Sequence, residues 1–137
     1  MTTAQLQVGQ EVGRWDYTVT YPMAVAYMGP KSWHSDKEIA NSRGDANAVV
    51  SGQHTLGIVT DALLDFYGID WMGSGGKLFL RFTKEIPVTD PITFKATVKE
   101  VTQSGGRTIA TLELVGFGQG GEEEDQRFVG EASGPVK

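Results

Sequence analysis

Between residues 55 and 67 the apolar side chains of Leu56, Val59, Leu63, Phe66 and Tyr67 recur at three- and four-residue spacing, the period of a single helical stripe. Ser51 ahead of the stripe suits an N-cap and Gly68 behind it a stop, so the spacing predicts a helix over Gly52–Tyr67. At 1.5 Å per residue such a helix is about 24 Å long, enough to cross a small domain. After it the period drops to two. Leu78, Leu80 and Phe82 alternate with Phe79 and Arg81, and Ile92, Phe94, Ala96 and Val98 alternate with Thr93, Lys95, Thr97 and Lys99. Residues 109–117 and 127–132 continue the series, each interrupted by glycine. Turn chemistry separates these segments at Gly73-Ser74-Gly75-Gly76, Asp90-Pro91 and Ser104-Gly105-Gly106, and the polar run Gly120-Gly121-Glu122-Glu123-Glu124-Asp125 reads as a solvated hairpin loop. Ahead of the long helix, a strand over residues 15–20 is expected, then an irregular region over 21–50 with a short helix near 36–42.

One helix with one apolar stripe, followed by strands with one apolar face each, buries both when the sheet curls around the helix. The expectation is therefore an α+β chain of the hot-dog type, with five or six antiparallel strands. With 137 residues, 39% of them hydrophobic, residues 1–137 suit one domain with a core that needs no staple. There is no cysteine, which excludes a disulfide scaffold, a thiolate metal site and a thiol nucleophile. Twelve Lys and Arg against 17 Asp and Glu give a net charge of -5, so no basic field gathers nucleic acid. The sequence has no apolar run of transmembrane length, and its start has neither a basic segment nor an apolar h-region. A soluble cytoplasmic protein with no membrane partner is expected.

Both histidines precede or open the long helix: His34 in Trp33-His34-Ser35-Asp36, and His54 in Ser51-Gly52-Gln53-His54-Thr55. The run His34-x-Asp36-x-x-x-Ala40-x-x-x-Gly44, then Val49-Val50-Ser51-Gly52 and the helix, resembles the MaoC-like branch of the hot-dog superfamily, the R-specific enoyl-CoA hydratases and acyl dehydratases. Gly52-x-His54-Thr55, Gly76-Lys77-Leu78 and Phe82-Thr83-Lys84-Glu85-Ile86-Pro87-Val88-x-x-Asp90 extend the resemblance in the same order, and Val129-Gly130-Glu131-Ala132 continues it more weakly.

The resemblance implies an acyl thioester substrate, carried on coenzyme A or acyl carrier protein. The family's Asp-x-Asn-x-x-His motif holds the water that adds across a 2-enoyl thioester, while N–H groups at the central helix start polarise the thioester carbonyl. His34 and Gly52 match those positions; the motif Asp falls on Gly29 and its Asn on Lys31. His34 is thus the principal catalytic candidate, with Trp33 as an apolar wall beside it, Ser51 and Gly52 at the helix start as substrate contacts, and His54 in the first turn as a further candidate. Asp36, two residues from His34, is a candidate replacement carboxylate, although the same residue suits the N-cap of the short helix. No metal or organic cofactor is required, because the thioester itself acidifies the α-carbon.

Other readings coexist. Asp61 and Asp65 on the helix invite comparison with hot-dog thioesterases, although they project away from the stripe and so default to solvent. The absent motif Asp makes the chain a candidate supporting subunit for an active hot-dog partner. Lys31, Arg43, Lys77, Arg81 and Lys84 are candidate phosphate contacts. A homodimer or hetero-oligomer is expected, paired through the strand at 77–82 or that at 92–101.

Overall fold

A computed structural model describes residues 6–137. The elements run β1 (Glu11–Tyr17), α1 (Tyr21–Met28), α2 (Lys37–Ser42), α3 (Gly52–Tyr67), a 3-10 turn at Met72–Ser74, then β2 (Lys77–Phe82), β3 (Ile92–Ser104), β4 (Arg107–Phe117) and β5 (Gln126–Pro135). The five strands form one antiparallel sheet in the order β1-β3-β4-β5-β2. This is the expected α+β arrangement of one long helix against a single sheet.

The helix α3 has the expected limits, with the Ser51 hydroxyl accepting from the Gln53 N–H and Gly68 closing the end. Its buried face, however, is Thr55, Val59, Leu63 and Tyr67, one residue every four, and Leu56 is 38% exposed. The expected stripe is therefore rotated: the small Thr55, not Leu56, enters the core at the first turn. At the other end, Tyr67 stacks on Trp71 and donates its hydroxyl hydrogen to the Ala110 carbonyl at 2.9 Å. Trp71 in turn donates its indole N–H to the Ser133 carbonyl at 2.9 Å. These bonds tie the helix end to β4 and β5 while Val59 and Leu63 meet the inward residues Phe94, Leu112, Leu114 and Phe128.

The glycines in the last two strands mark close approaches. A Cβ on Gly116 would stand 2.1 Å from the Phe128 ring, and one on Gly130 would stand 2.0 Å from the Phe79 carbonyl oxygen. A side chain at Gly116 would displace the Phe128 ring and one at Gly130 the backbone of β2, so these interruptions belong to the sheet.

Three expectations need correction. The first strand lies over Glu11–Tyr17, ahead of its expected place. The irregular region contains a helix, α1, whose sequence YPMAVAYM is apolar on nearly every side and so lacks a stripe to read. Thr20 caps it, Pro22 stands in its first turn, and Gly29, at φ 81°, stops it. Finally, β3 lies between β1 and β4, so of the two expected pairing edges only β2 is a sheet edge.

Candidate active site

The segment between α1 and α3 folds over the start of α3. The Tyr21 hydroxyl donates to Asn47 Oδ1, and Asn47 Nδ2 donates to the Val88 carbonyl at 2.8 Å, anchoring both ends of the overhang. Val50 N–H donates to the Ile86 carbonyl and Val88 N–H to the Ala48 carbonyl, each at 2.8 Å, with Val49 facing Pro87. This short ladder fixes the backbone on which the site is built.

His34 docks on the ladder's outer edge. Its Nδ1 lies 2.7 Å from the Val49 carbonyl oxygen, and the Val49 N–H donates to the Trp33 carbonyl at 3.3 Å. A carbonyl only accepts, so Nδ1 carries the hydrogen and the neutral ring keeps its lone pair on Nε2. The imidazole rests on the Trp33 indole with ring centres 3.6 Å apart, and the Arg43 guanidinium covers the indole at 3.8 Å. The buried Ser35 hydroxyl donates to the Gly29 carbonyl, closing the turn beneath His34.

The start of α3 forms the other part. Ser51 Oγ takes the Gln53 N–H and Ser51 O takes that of Thr55, which leaves the N–H groups of Gly52 and His54 without a protein acceptor among the described residues. Gly52 leaves room for the Phe82 ring, which a Cβ there would meet at 3.3 Å. Trp33, His34, Val49, Val50 and Gly52 line one cleft of about 380 Å³, closed on its far side by residues 82–86 of the segment leaving β2. The cleft joins a hydrogen-bond acceptor at Nε2 to a helix N-terminus able to hold developing negative charge.

Trp33, His34 and Gly52 thus come together, with Ser51 capping the helix at their edge. His54 and Asp36 stand apart. The His54 ring stacks on Tyr27 of α1 at 4.4 Å, does not line the cleft, and is pushed toward its neutral form by burial. The Asp36 carboxylate accepts the Ile39 N–H at 3.1 Å as the N-cap of α2 and is not on the cleft wall. Asp61 and Asp65 are exposed on a different groove, with Trp15 and Phe94. Of the cationic candidates, Lys84 lines the cleft and pairs with Asp125 at 3.2 Å. Among the described residues, no group of three or more His, Asp and Glu is placed to hold a metal ion.

The sequence reading missed the far wall of the cleft and what holds it. Arg127, 6% exposed, donates from Nε to Asp125 Oδ1 at 2.9 Å, from Nη2 to Asp125 Oδ2 at 3.3 Å, and from Nη1 to the Glu85 carbonyl at 3.1 Å; Asp90 lies 3.4 Å away. The guanidinium holds the Asp125 carboxyl well below the usual carboxylate range. An arginine directly before the apolar Phe128 and Val129 was the available signal.

No protein-family model matches the chain, and no curated protein matches it with significance. Solved structures do. An (R)-hydratase from A. caviae involved in PHA biosynthesis is 25% identical at a TM-score of 0.72, covering 94% of this chain and 96% of that one. The ChsH1-ChsH2 complex from Mycobacterium tuberculosis is 17% identical, TM-score 0.74, covering 96% and 98%. A MaoC-like dehydratase from Rhodospirillum rubrum is 20% identical, TM-score 0.71, covering 98% and 96%. The chain has the MaoC-like hot-dog fold.

Proposed function

We propose that the chain hydrates a 2-enoyl thioester to the 3-hydroxyacyl thioester and catalyses the reverse dehydration. The observation that carries this reading is His34: its Nδ1–H is committed to the Val49 carbonyl, which leaves the lone pair on Nε2, and His34 lines the same cleft as Gly52. In hydration, Nε2 takes a proton from water as the water oxygen bonds to C3. The π electrons move through C2 to the thioester oxygen, where the Gly52 N–H receives the charge, and the proton on Nε2 then passes to C2. The similarity to an (R)-hydratase supports the reaction class. The thioester carrier is coenzyme A or acyl carrier protein.

The test is the loss of conjugated enoyl thioester with the isolated chain over a series of chain lengths. His34→Ala is expected to lower kcat about a hundredfold or more, the ordinary worth of a positioned acid or base. Full activity in that variant refutes the site.

A second reading rests on Gly29, which stands at the motif carboxylate position and carries no side chain. It makes the chain a supporting subunit paired with another hot-dog chain, and the ChsH1-ChsH2 neighbour, a complex of two different chains by its name, supports it. An inert isolated chain that becomes active on adding a hot-dog chain with the full Asp and His motif selects this reading. In either case the exposed edge of β2, with Phe79 64% exposed, is the proposed pairing surface.

A further inference from the structure

A hydratase needs its water held as well as deprotonated, and at Gly29 the chain lacks the side chain that the family motif uses. The cleft offers one carboxylate in its place. Of the residues lining it, only Glu85 is acidic. The other nearby carboxylates are engaged: Asp36 caps α2, and Asp90 and Asp125 stand on Arg127. Among the described residues the Glu85 carboxylate has no hydrogen bond or ion pair.

Its backbone, in contrast, is tightly fixed. The Glu85 carbonyl accepts from Arg127 Nη1 at 3.1 Å, the Thr83 and Lys84 N–H groups donate to the Arg127 carbonyl at 2.9 and 3.3 Å, and the next residue, Ile86, is bonded to Val50. Val50 and Ile86 are buried in the core, at 7% and 3% exposure. Alternation along the two extended segments turns Val49 and Glu85 the other way, and both line the cleft. The segments carrying His34 and Glu85 therefore flank residues 48–50 on opposite edges. Two strand spacings put their backbones about 10 Å apart. The Glu85 side chain is exposed, and it and the imidazole are each long enough, rising from that separation over Val49, to reach one water between them.

We propose that Glu85 supplies the water-holding carboxylate of this site, resting on the hydratase reading above. During hydration the Glu85 carboxylate accepts one water hydrogen, His34 Nε2 removes the other, and the oxygen bonds to C3. The hydrogen held by Glu85 stays on the oxygen and becomes the product hydroxyl hydrogen, while the proton on Nε2 goes to C2. No other reactant enters.

The experiment follows the full chain with 2-butenoyl-CoA, comparing wild type, Glu85→Ala, Glu85→Asp and His34→Ala, with thermal unfolding measured in parallel. Glu85→Ala is expected to lose about a hundredfold in kcat, the usual effect of a misplaced reactant, with KM within about threefold and an unchanged melting temperature. Added formate is expected to restore part of the Glu85→Ala activity, which a merely structural residue does not allow. Glu85→Asp, shorter by one methylene, is expected to recover only part. If His34→Ala is silent yet Glu85→Ala retains kcat within threefold of wild type, or formate restores nothing, the role of Glu85 is refuted and the hydratase reading stands. If wild type turns over no enoyl thioester of any length, the hydratase reading fails and the role of Glu85 falls with it.

Discussion

Arg127→Met removes the charge that organises the cleft wall while keeping an unbranched apolar stem in its place. Its cost follows from what loses a partner. The Arg127 side chain is 8% exposed and that of Asp125 13%, so their two hydrogen bonds lie largely out of water. Asp90, with a side chain 39% exposed, is screened and adds at most about 1 kcal/mol. Leaving one charge of a buried pair unpaired costs about 3 to 5 kcal/mol; Asp125 keeps the exposed Lys84 at 3.2 Å, so the expected loss at pH 7 lies at the lower end, about 3 kcal/mol. The Glu85 carbonyl also loses its donor, which loosens the wall facing His34.

The effect depends on pH with a definite sign. Arg127 depresses the Asp125 pKa in the folded chain. The resulting stabilisation is fully present above the unfolded carboxylate value of about 3.9 and is lost as the pH falls below it toward the folded value. Arg127→Met lacks this depression from the outset. The gap between wild type and variant should therefore be widest near neutrality and narrow steadily below about pH 4. Urea unfolding of both proteins at pH 7, 5, 4 and 3, read by far-UV circular dichroism, measures it. A cost below about 1 kcal/mol at pH 7, or a gap that stays constant down to pH 3, would refute the argument that Arg127 and Asp125 form a buried, mutually dependent pair.

Other predictions test the packing and the sheet edge. Leu63→Ala, at a position with no exposed surface, is expected to cost about 2 to 5 kcal/mol, whereas Leu56→Ala should cost under about 1 kcal/mol; equal costs in denaturant melts would reject the rotated stripe. Gly57→Ala places a methyl group that meets nothing within 4 Å beyond its chain neighbours and the backbone of α3 itself, and is expected to stabilise by about 0.5 to 1 kcal/mol in thermal unfolding. Phe79→Lys sets a charge on the open edge of β2 and is expected to halve the mass seen by light scattering at micromolar concentration; a wild-type monomer would contradict pairing through that edge.

What could be read from the sequence was what repeats locally. The limits of α3 were legible because Ser51 and Gly68 mark its ends with side-chain and backbone chemistry that needs no distant partner. Four strands were legible because β2 and β3 alternate apolar and polar residues and β4 and β5 are rich in apolar and β-branched ones, signals that need no distant partner. The helix α1 was not, since only Ala24 is buried and its outward Met23, Val25 and Tyr27 are as apolar as a core. The inward turn of Thr55 and outward turn of Leu56 were equally hidden, because the sheet decides which face of the helix stripe it covers. The site divides along the same line. His34 and Gly52 were found through motif order, and the cleft does bring them together. Glu85 and Arg127 were passed over because their part depends on pairings between segments far apart in the chain: Val50 with Ile86, Val88 with Ala48, and Arg127 with Glu85. A motif names the residue type expected at a position, but a water bound in the cleft would respond only to the charge that reaches it. When the residue at Gly29 has no side chain, the wall opposite His34 is the place where a substitute carboxylate can be supplied without disturbing the histidine's own hydrogen bond to Val49.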